Sequence, residues 1–126
     1  MSDISKVKAL IVDDESHIRE LMKAVLNSMN VEVAGEASNG DEAINAFKDK
    51  HPNLILMDVN MPICDGVTAL KAIKEESDDV LVIMLTSITD MNTIQECIDA
   101  GAGGYLRKDT PIDELRTGIK EAWRNK

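Results

Sequence analysis

The chain has 126 residues, of which 14 are Lys or Arg and 23 are Asp or Glu, so its formal net charge is −9. This length predicts a single domain, because hydrophobic cores begin to split only beyond roughly 250 residues. The acidic balance argues against direct nucleic-acid binding and against anionic lipid surfaces, since both kinds of partner need Lys and Arg. No stretch approaches the roughly 18 apolar residues of a membrane span, and the two cysteines, Cys64 and Cys97, are too few for a disulfide framework. We therefore expect a small cytoplasmic domain with no membrane insertion.

Short unbroken apolar runs alternate with stretches of helical period along the whole chain. The runs predict strands that are buried on both faces, which is typical of a parallel sheet covered by helices. In chain order, the predicted strands cover residues 9–12, 31–37, 54–57, 80–85 and 104–107.

Each predicted strand is followed by apolar side chains three or four positions apart, as on one face of a helix. Pro111 stands near the start of the last helix, where its fixed φ is tolerated, and the acidic run 75–79 predicts a solvated loop. Five strand–helix repeats are too few for an eight-stranded barrel, so right-handed crossovers predict an open, doubly wound α/β sheet with helices on both faces. The predicted buried helix faces are, in chain order, Ile18 to Met29; Ala43, Ile44 and Phe47; Val67, Leu70 and Ile73; Ile94, Cys97 and Ile98; and Ile112, Leu115, Ile119 and Trp123.

Polar side chains follow the apolar runs at four of the five predicted strand ends. Asp13 and Asp14 follow the first strand, and Asp58 follows the third. Thr86 follows the fourth strand and Lys108 the fifth. In open α/β sheets, ligands bind outside the carboxyl ends of the strands. Any one of these residues could be an ordinary strand terminus, but the set predicts a functional site at this edge.

The chemistry of this set follows from its charges. Carboxylates about 5 Å apart repel by roughly 3 kcal/mol per pair at an effective dielectric near 20. Binding a cation relieves this repulsion, and oxygen ligands with room for water suit Mg²⁺. A carboxylate can also attack phosphorus to form an acyl phosphate. Asp58 could then accept the phosphoryl group, with Asp13 and Asp14 holding the cation and with Thr86 and Lys108 as donors to the phosphoryl oxygens.

These residues resemble the receiver domain of two-component response regulators. The Asp13-Asp14 pair, Asp58 with Met61 and Pro62 following, Thr86 and Lys108 carry the resemblance, which spans residues 7 to about 123. It implies a CheY-like, flavodoxin-like (βα)5 fold with five parallel strands in the order 2-1-3-4-5. It also implies a signalling switch rather than an enzyme, phosphorylated on an aspartate by a histidine kinase, a phosphotransfer protein or a small phosphodonor.

The resemblance further implies the residues of a phosphorylation and metal site. Asp58 would be the phosphoacceptor and a ligand of Mg²⁺, for which Mn²⁺ is an alternative ion. Asp14 would bind the ion directly and Asp13 mainly through water. The backbone carbonyl of Asn60 would be a third protein ligand.

A switch is implied by the same resemblance. Thr86 would bond a phosphoryl oxygen, Lys108 would pair with the phosphate, and Tyr105 would fill the space that Thr86 vacates. The alternative for Tyr105 is a half-buried strand tyrosine with no switching role. A downstream protein would read the surface of the fourth helix, fifth strand and fifth helix, with the chain as a monomer or a phosphorylation-dependent dimer. An apolar side chain at Ile88 cannot orient an attacking water, so we also expect slow self-dephosphorylation.

The sequence departs from most receivers after Lys108, where Asp109 replaces proline. Because non-proline cis bonds cost about 2.5–4 kcal/mol, we expect a loop without the usual cis peptide here. This segment resembles NarL-type receivers, which usually carry a helix-turn-helix domain. We expect a single receiver domain over residues 1–126, with its core at about 7–124 and no output domain; the alternative is the receiver part of a longer NarL-type regulator.

Two alternatives come from other functional classes. One is a small Mg²⁺-dependent aspartyl phosphatase of the haloacid-dehalogenase kind. Those enzymes usually carry a second aspartate two residues after the nucleophile, where this chain has Asn60. The other is an interaction module that no longer takes phosphate.

Overall fold

The computed structural model describes residues 7–87 and 90–126, which form five strand–helix repeats. All described strand pairs are parallel, and the strand order is β2-β1-β3-β4-β5. The predicted fold class and strand order are therefore confirmed. The strands are β1 (Lys8–Val12), β2 (Glu32–Ala37), β3 (Leu54–Asp58), β4 (Leu81–Thr86) and β5 (Gly104–Arg107), and the helices are α1 (Ser16–Ser28), α2 (Gly40–Lys50), α3 (Gly66–Glu76), α4 (Met91–Asp99) and α5 (Ile112–Arg124).

The sheet separates two hydrophobic cores, as expected for strands with apolar residues on both faces. One face packs against α1 and α5, whose Leu26 and Ile119 are fully buried. The other face packs against α2, α3 and α4, where Leu70 and Cys97 are fully buried. The central strands β1, β3 and β4 supply alternate side chains to the two cores, so their carboxyl ends are held in fixed register at one edge of the sheet.

Two helical positions predicted to be buried are exposed in the structure. Ile98 is 56% exposed, because it lies about 100° around α4 from its neighbour Cys97, which faces the sheet. Ile112 is 45% exposed, since it is the first residue of α5. Trp123 is half-buried rather than buried, at the last turn of the same helix.

The acidic run 75–79, which was predicted to be a loop, is only partly a loop in the structure. Residues 75 and 76 complete α3, and the loop begins at its C-cap, Ser77. Lys74 stabilises this loop, because its ammonium group donates hydrogen bonds to the backbone carbonyls of Asp78 and Val80 at 2.9 and 3.0 Å.

The described residues contain no cis peptide bond, so the segment after Lys108 is trans as expected. Ile88 lies outside the described residues. No helix in ranges 7–87 and 90–126 is both long and apolar enough to cross a membrane.

Candidate functional site

Backbone hydrogen bonds continue past the ends of the strands and position the residues that follow them. The amide of Asp13 donates to the carbonyl of Ala37 at 3.0 Å, extending the pairing of β1 with β2. The amide of Lys108 donates to the carbonyl of Thr86 at 2.8 Å, extending the pairing of β4 with β5. The residues that the sequence placed at the strand ends are therefore held by the sheet itself.

Three aspartates meet at this edge. One carboxylate oxygen from each of Asp13, Asp14 and Asp58 lies within 4.8 Å of the others. Asp13 is fully buried, Asp58 is 3% exposed, and Asp14 is exposed to solvent. The cluster thus has two buried members and one at its mouth, which leaves room for water or a ligand on the outer side.

Lys108 brings a positive charge into the acid cluster. Its ammonium nitrogen lies 2.8 Å from Asp13 Oδ2 and 3.2 Å from Asp58 Oδ2. A third carboxylate, that of Glu15, lies 3.3 Å away at the mouth of the site. The lysine side chain is only 11% exposed, so these contacts are made largely out of water, where charge interactions are strong.

Burial and charge together shift the protonation equilibria of the site. Burial, followed by the nearby charge of Asp13, raises the pKa of Asp58 from 3.8 to about 6 even though Lys108 opposes the shift. Burial alone would lower the pKa of Lys108, but its contacts with Asp13 and Asp58 outweigh burial and leave that pKa raised. Lys108 is therefore charged at neutral pH, and Asp58 is mostly ionised.

The donor set at this edge fits a hard divalent cation. The buried Asp13 Oδ2 lies 2.8 Å from the Lys108 ammonium group, and no other donor in the described ranges reaches this oxygen. Three carboxylates face a single ammonium group, so negative charge is in excess. A cation that prefers oxygen ligands and keeps several waters, such as Mg²⁺, suits two buried carboxylates and one exposed carboxylate.

The other predicted site residues lie beside the cluster. The amide of Asn60 donates to Asp58 Oδ1 at 3.2 Å, and the Asn60 side chain is exposed. Thr86 is 1% exposed at the end of β4. By the alternation of side chains along a strand, Thr86 points to the same face as Met84, which belongs to the hydrophobic core that Tyr105 packs against. Thr86 and Tyr105 therefore share one face of the sheet, and Tyr105 is half-buried there.

Gly66 is a site residue that the sequence reasoning missed. A Cβ atom on Gly66 would lie 2.1 Å from the carbonyl oxygen of Asp58, far inside contact distance. The amide of Gly66 also donates to the carbonyl of Val59 at 2.9 Å. The start of α3 therefore packs directly on the backbone that carries Asp58. The only signal in the sequence is that Gly66 directly precedes the apolar stripe that begins at Val67.

Arg19 was also missed, and nothing in the sequence pattern singled it out. Its guanidinium group donates to the carbonyl of Asp13 at 2.6 Å and to Glu36 at 3.1 Å. Glu36 also pairs with Lys23, and this contact lowers the pKa of Glu36. Arg19 therefore fixes the backbone of the loop between β1 and α1 to the edge strand β2.

A separate cleft in the described part of the chain lies away from the aspartates. Its volume is about 360 Å³, and its lining includes Phe47, His51 and Val80. These residues precede β3 and β4 or end α2, so the cleft lies at the amino edge of the sheet. Its lining contains none of the clustered aspartates, which lie at the opposite edge of the sheet.

An open parallel sheet with clustered aspartates, a threonine and a lysine at its carboxyl edge is characteristic of the receiver class of signalling proteins. The family model described as "Response regulator receiver domain" matches residues 9–120, so the chain belongs to that family. Receiver domains are signalling switches of two-component systems that bind Mg²⁺ at an acidic pocket. They interact with histidine kinases or phosphotransfer proteins and with downstream partners.

Similar proteins support this assignment. The chain is 40% identical over 101 residues to chemotaxis protein CheY of Halobacterium salinarum, covering 80% of this chain and 83% of that one. It is 34% identical over 114 residues to chemotaxis protein CheY of Bacillus subtilis, covering 90% and 95%. The solved receiver domain of the response regulator NarL from Mycobacterium tuberculosis has a TM-score of 0.87 at 26% identity, covering 96% and 98%. The chain also spans about half the length of several transcriptional regulators.

Proposed function

We propose that this chain is a phosphorylation-activated switch in which Asp58 accepts the phosphoryl group from a histidine kinase, a phosphotransfer protein or a small phosphodonor. One observation carries the proposal. The carboxylate of Asp58 lies beside Lys108 and two further aspartates, at the edge of the sheet where a ligand can reach it. The free thiols of Cys64 and Cys97 agree with action in the reducing cytoplasm.

The transfer needs no general base, because an ionised carboxylate is itself the nucleophile. An oxygen of Asp58 forms a bond to phosphorus while the phosphorus–nitrogen bond of a phosphohistidine breaks. The electron pair of that bond returns to the imidazole nitrogen, which then takes a proton from solvent. With a pKa of about 6, Asp58 is mostly ionised at pH 7 and ready to react.

Asp13, Asp14, Asp58 and the backbone carbonyl of Asn60 would hold Mg²⁺, with Mn²⁺ as an alternative ion. When bound, the cation supplies charge neutralisation for the phosphoryl oxygens. The excess of carboxylates over cations supports this ligand set, as does the buried Asp13 oxygen, which no donor other than Lys108 reaches among the described residues. Asp13 is the most buried of the three aspartates and forms the closest ion pair with Lys108, so its main role is to orient that lysine and, through water, the cation.

The switch would work through Thr86, Lys108 and Tyr105. A phosphoryl group on Asp58 would accept charge-assisted hydrogen bonds from Lys108 and from the Thr86 hydroxyl, and these bonds exist only in the phosphorylated state. A ligand shifts an equilibrium only by such differential contacts. The backbone amide of Lys108 is hydrogen-bonded to the carbonyl of Thr86. Movement at the end of β4 is therefore coupled to movement at the end of β5.

The output surface would be formed by α4, β5 and α5. Beside Tyr105 lies an apolar hollow of about 260 Å³ whose lining includes Cys97, Ile98 and Gly104. Repacking of Tyr105 would change this hollow, which a downstream protein or a second copy of the chain could then read. The chain would be a monomer or a phosphorylation-dependent dimer.

The test is a titration with beryllofluoride in the presence of Mg²⁺, followed by NMR of the backbone amides. Beryllofluoride imitates the phosphoryl group on a carboxylate, so we expect shifts at Thr86, Tyr105 and along α4. Mg²⁺ alone should shift only the loops around the aspartates. Absence of any beryllofluoride shift would instead support the interaction module that no longer takes phosphate.

Replacement of Lys108 by alanine should separate phosphorylation from signal output. The Lys108→Ala protein should still bind Mg²⁺, and more tightly, because the aspartates lose their competing cation. It should fail to shift Tyr105 on beryllofluoride addition, since the contact that pulls the strand ends together is missing. Mg²⁺ titration and the amide spectrum check this prediction. A Lys108→Ala protein with an unchanged Tyr105 response would contradict the role of the lysine.

The apparent affinity for Mg²⁺ should rise with pH between 5 and 7. With a pKa of about 6, Asp58 is about one-tenth ionised at pH 5 and nine-tenths ionised at pH 7, and only the ionised form binds the cation. We expect about a tenfold tighter apparent dissociation constant at pH 7, measured by calorimetry or fluorescence. Asp58→Asn should flatten this dependence, and a flat profile in the unsubstituted chain would contradict it.

A second candidate is the receiver part of a longer NarL-type transcriptional regulator. It is favoured by the similarity to the NarL receiver domain and by the regulators of which this chain spans about half the length. Both candidates use the same phosphorylation chemistry. The aspartyl phosphatase gains no such support, because Asn60 cannot act as its acid. Turnover of p-nitrophenyl phosphate would nevertheless establish phosphatase activity.

A further inference from the structure

Glu15 lies at the mouth of the acid cluster, between β1 and α1. It is the N-cap residue of α1, a position where Ser, Thr, Asp and Asn are preferred because their side chains bond the first helical amides. The Glu15 side chain makes no such bond. Its carboxylate instead contacts Lys108 at 3.3 Å, although it is about half exposed. Its position is therefore set by the site rather than by the helix.

Glu15 contacts the acid cluster through both its backbone and its side chain. Its amide donates to Asp13 Oδ1 at 2.9 Å, which holds the backbone. One carboxylate oxygen faces Lys108, and the other lies 3.7 Å from the imidazole of His17. Lys108 is thus shared by Asp13, Asp58 and Glu15. Glu15 therefore adds a fourth carboxylate beside the site, and it competes with an incoming donor for the lysine.

We propose that Glu15 is a specificity-determining residue that selects against phosphodonors carrying high negative charge. The inference rests on the proposed function, since it concerns the donors that reach Asp58. A carboxylate at the mouth repels a dianion more than a monoanion, because Coulomb energy scales with the product of the charges. Removing one such partly exposed charge should speed the approach of a dianion by about threefold at moderate salt.

Two small donors separate this charge effect from a general effect on reactivity. In both, an oxygen of Asp58 forms the new bond to phosphorus. Acetyl phosphate is a dianion, and acetate leaves with the electron pair of the broken phosphorus–oxygen bond. Phosphoramidate is largely a monoanion at neutral pH, and ammonia leaves from its already protonated nitrogen. The ratio of the two phosphorylation rate constants therefore reports selection by charge.

The experiment compares the full chain with Glu15→Gln, Glu15→Asp and the matched control Glu121→Gln at saturating Mg²⁺. Glu121 is exposed on the last turns of α5, so its substitution changes the net charge equally without altering the site. Initial rates of phosphoprotein formation are measured by mass spectrometry with each donor. Glu15→Ser, which removes the charge and supplies a preferred N-cap residue, controls for any loss of helix stability.

We expect Glu15→Gln and Glu15→Ser to raise the acetyl phosphate rate about threefold and the phosphoramidate rate less than about twofold. Glu15→Asp and Glu121→Gln should keep the original ratio. The difference should shrink as salt is raised, because partly exposed charges are screened. An unchanged or lower donor ratio in Glu15→Gln, with normal labelling of the unsubstituted chain, overturns this inference alone. Failure of the unsubstituted chain to label with either donor overturns the proposed function and the inference with it.

Discussion

Replacing Asp58 by asparagine is expected to abolish phosphoryl transfer and, at the same time, to stabilise the metal-free fold. Transfer is lost because an amide oxygen is a poor nucleophile and cannot form an acyl phosphate. The shape of the side chain is nearly unchanged, so the loss should come without a structural defect. Labelling with acetyl phosphate should therefore fall to background in Asp58→Asn.

The stabilisation follows from the raised pKa of Asp58. The folded protein holds a proton on Asp58 up to a pKa of about 6, whereas the unfolded chain releases it near 3.8. The free energy of unfolding therefore falls as the pH rises between these two pKa values. Above pH 6 the ionised Asp58 destabilises the fold to its full extent. Asparagine carries no charge, so Asp58→Asn should increase the free energy of unfolding by about 1–3 kcal/mol at pH 8 and by almost nothing below pH 4.

Thermal unfolding of both proteins without Mg²⁺ measures this effect. For a chain of this length, the expected gain corresponds to a rise of about 5–10 °C in Tm at pH 8. Addition of Mg²⁺ should reduce the difference, because the cation binds the ionised native state and stabilises it. A lower Tm for Asp58→Asn at pH 8 would show that Asp58 is stabilised rather than strained by its neighbours.

Replacing Gly66 by alanine is expected to destabilise the protein and to displace Asp58. The added Cβ would lie 2.1 Å from the Asp58 carbonyl oxygen and 3.0 Å from the Val59 Cα, both parts of the backbone. Backbone cannot move away cheaply, so either α3 or the end of β3 must shift. We expect a loss of about 2–3 kcal/mol in the free energy of unfolding, in the range of overpacked cores.

Gly35→Ala is the matched control for this substitution. A Cβ at Gly35 would lie 3.6 Å from the nearest atom, the Leu10 Cδ1, which is ordinary contact. Chemical denaturation should show a large loss for Gly66→Ala and a small change for Gly35→Ala. Under conditions where both are folded, only Gly66→Ala should phosphorylate more slowly. Equal stability of the two variants would contradict the tight contact between α3 and Asp58.

The fold could be predicted because its signals are local. The unbroken apolar runs of β1, β3 and β4 need cover on both faces, and helical stripes after each strand provide it. Once the strands are parallel, their carboxyl ends lie at one edge, so the meeting of Asp13, Asp14, Asp58 and Lys108 follows from topology. The residues that could be placed were those that directly follow a strand.

The remaining features depend on three-dimensional packing that no sequence spacing encodes. The exposure of Ile98 depends on how α4 is rotated against the sheet, and that of Ile112 depends on where α5 begins. The bond from Arg19 to the Asp13 carbonyl depends on a long side chain crossing from a helix to a loop. In the sequence, Gly66 is an ordinary residue at the start of a helix. Only the structure shows that the backbone of Asp58 passes directly beside it.

Among the clustered aspartates, we propose that Asp58 is the residue that carries phosphorus. The most direct measurement is reduction of the acetyl phosphate-treated protein with borohydride, which converts an aspartyl phosphate to homoserine, followed by peptide sequencing. We predict homoserine at position 58 alone, and only when Mg²⁺ is present. Homoserine at position 13 or 14, or labelling that persists in Asp58→Asn, would contradict the account.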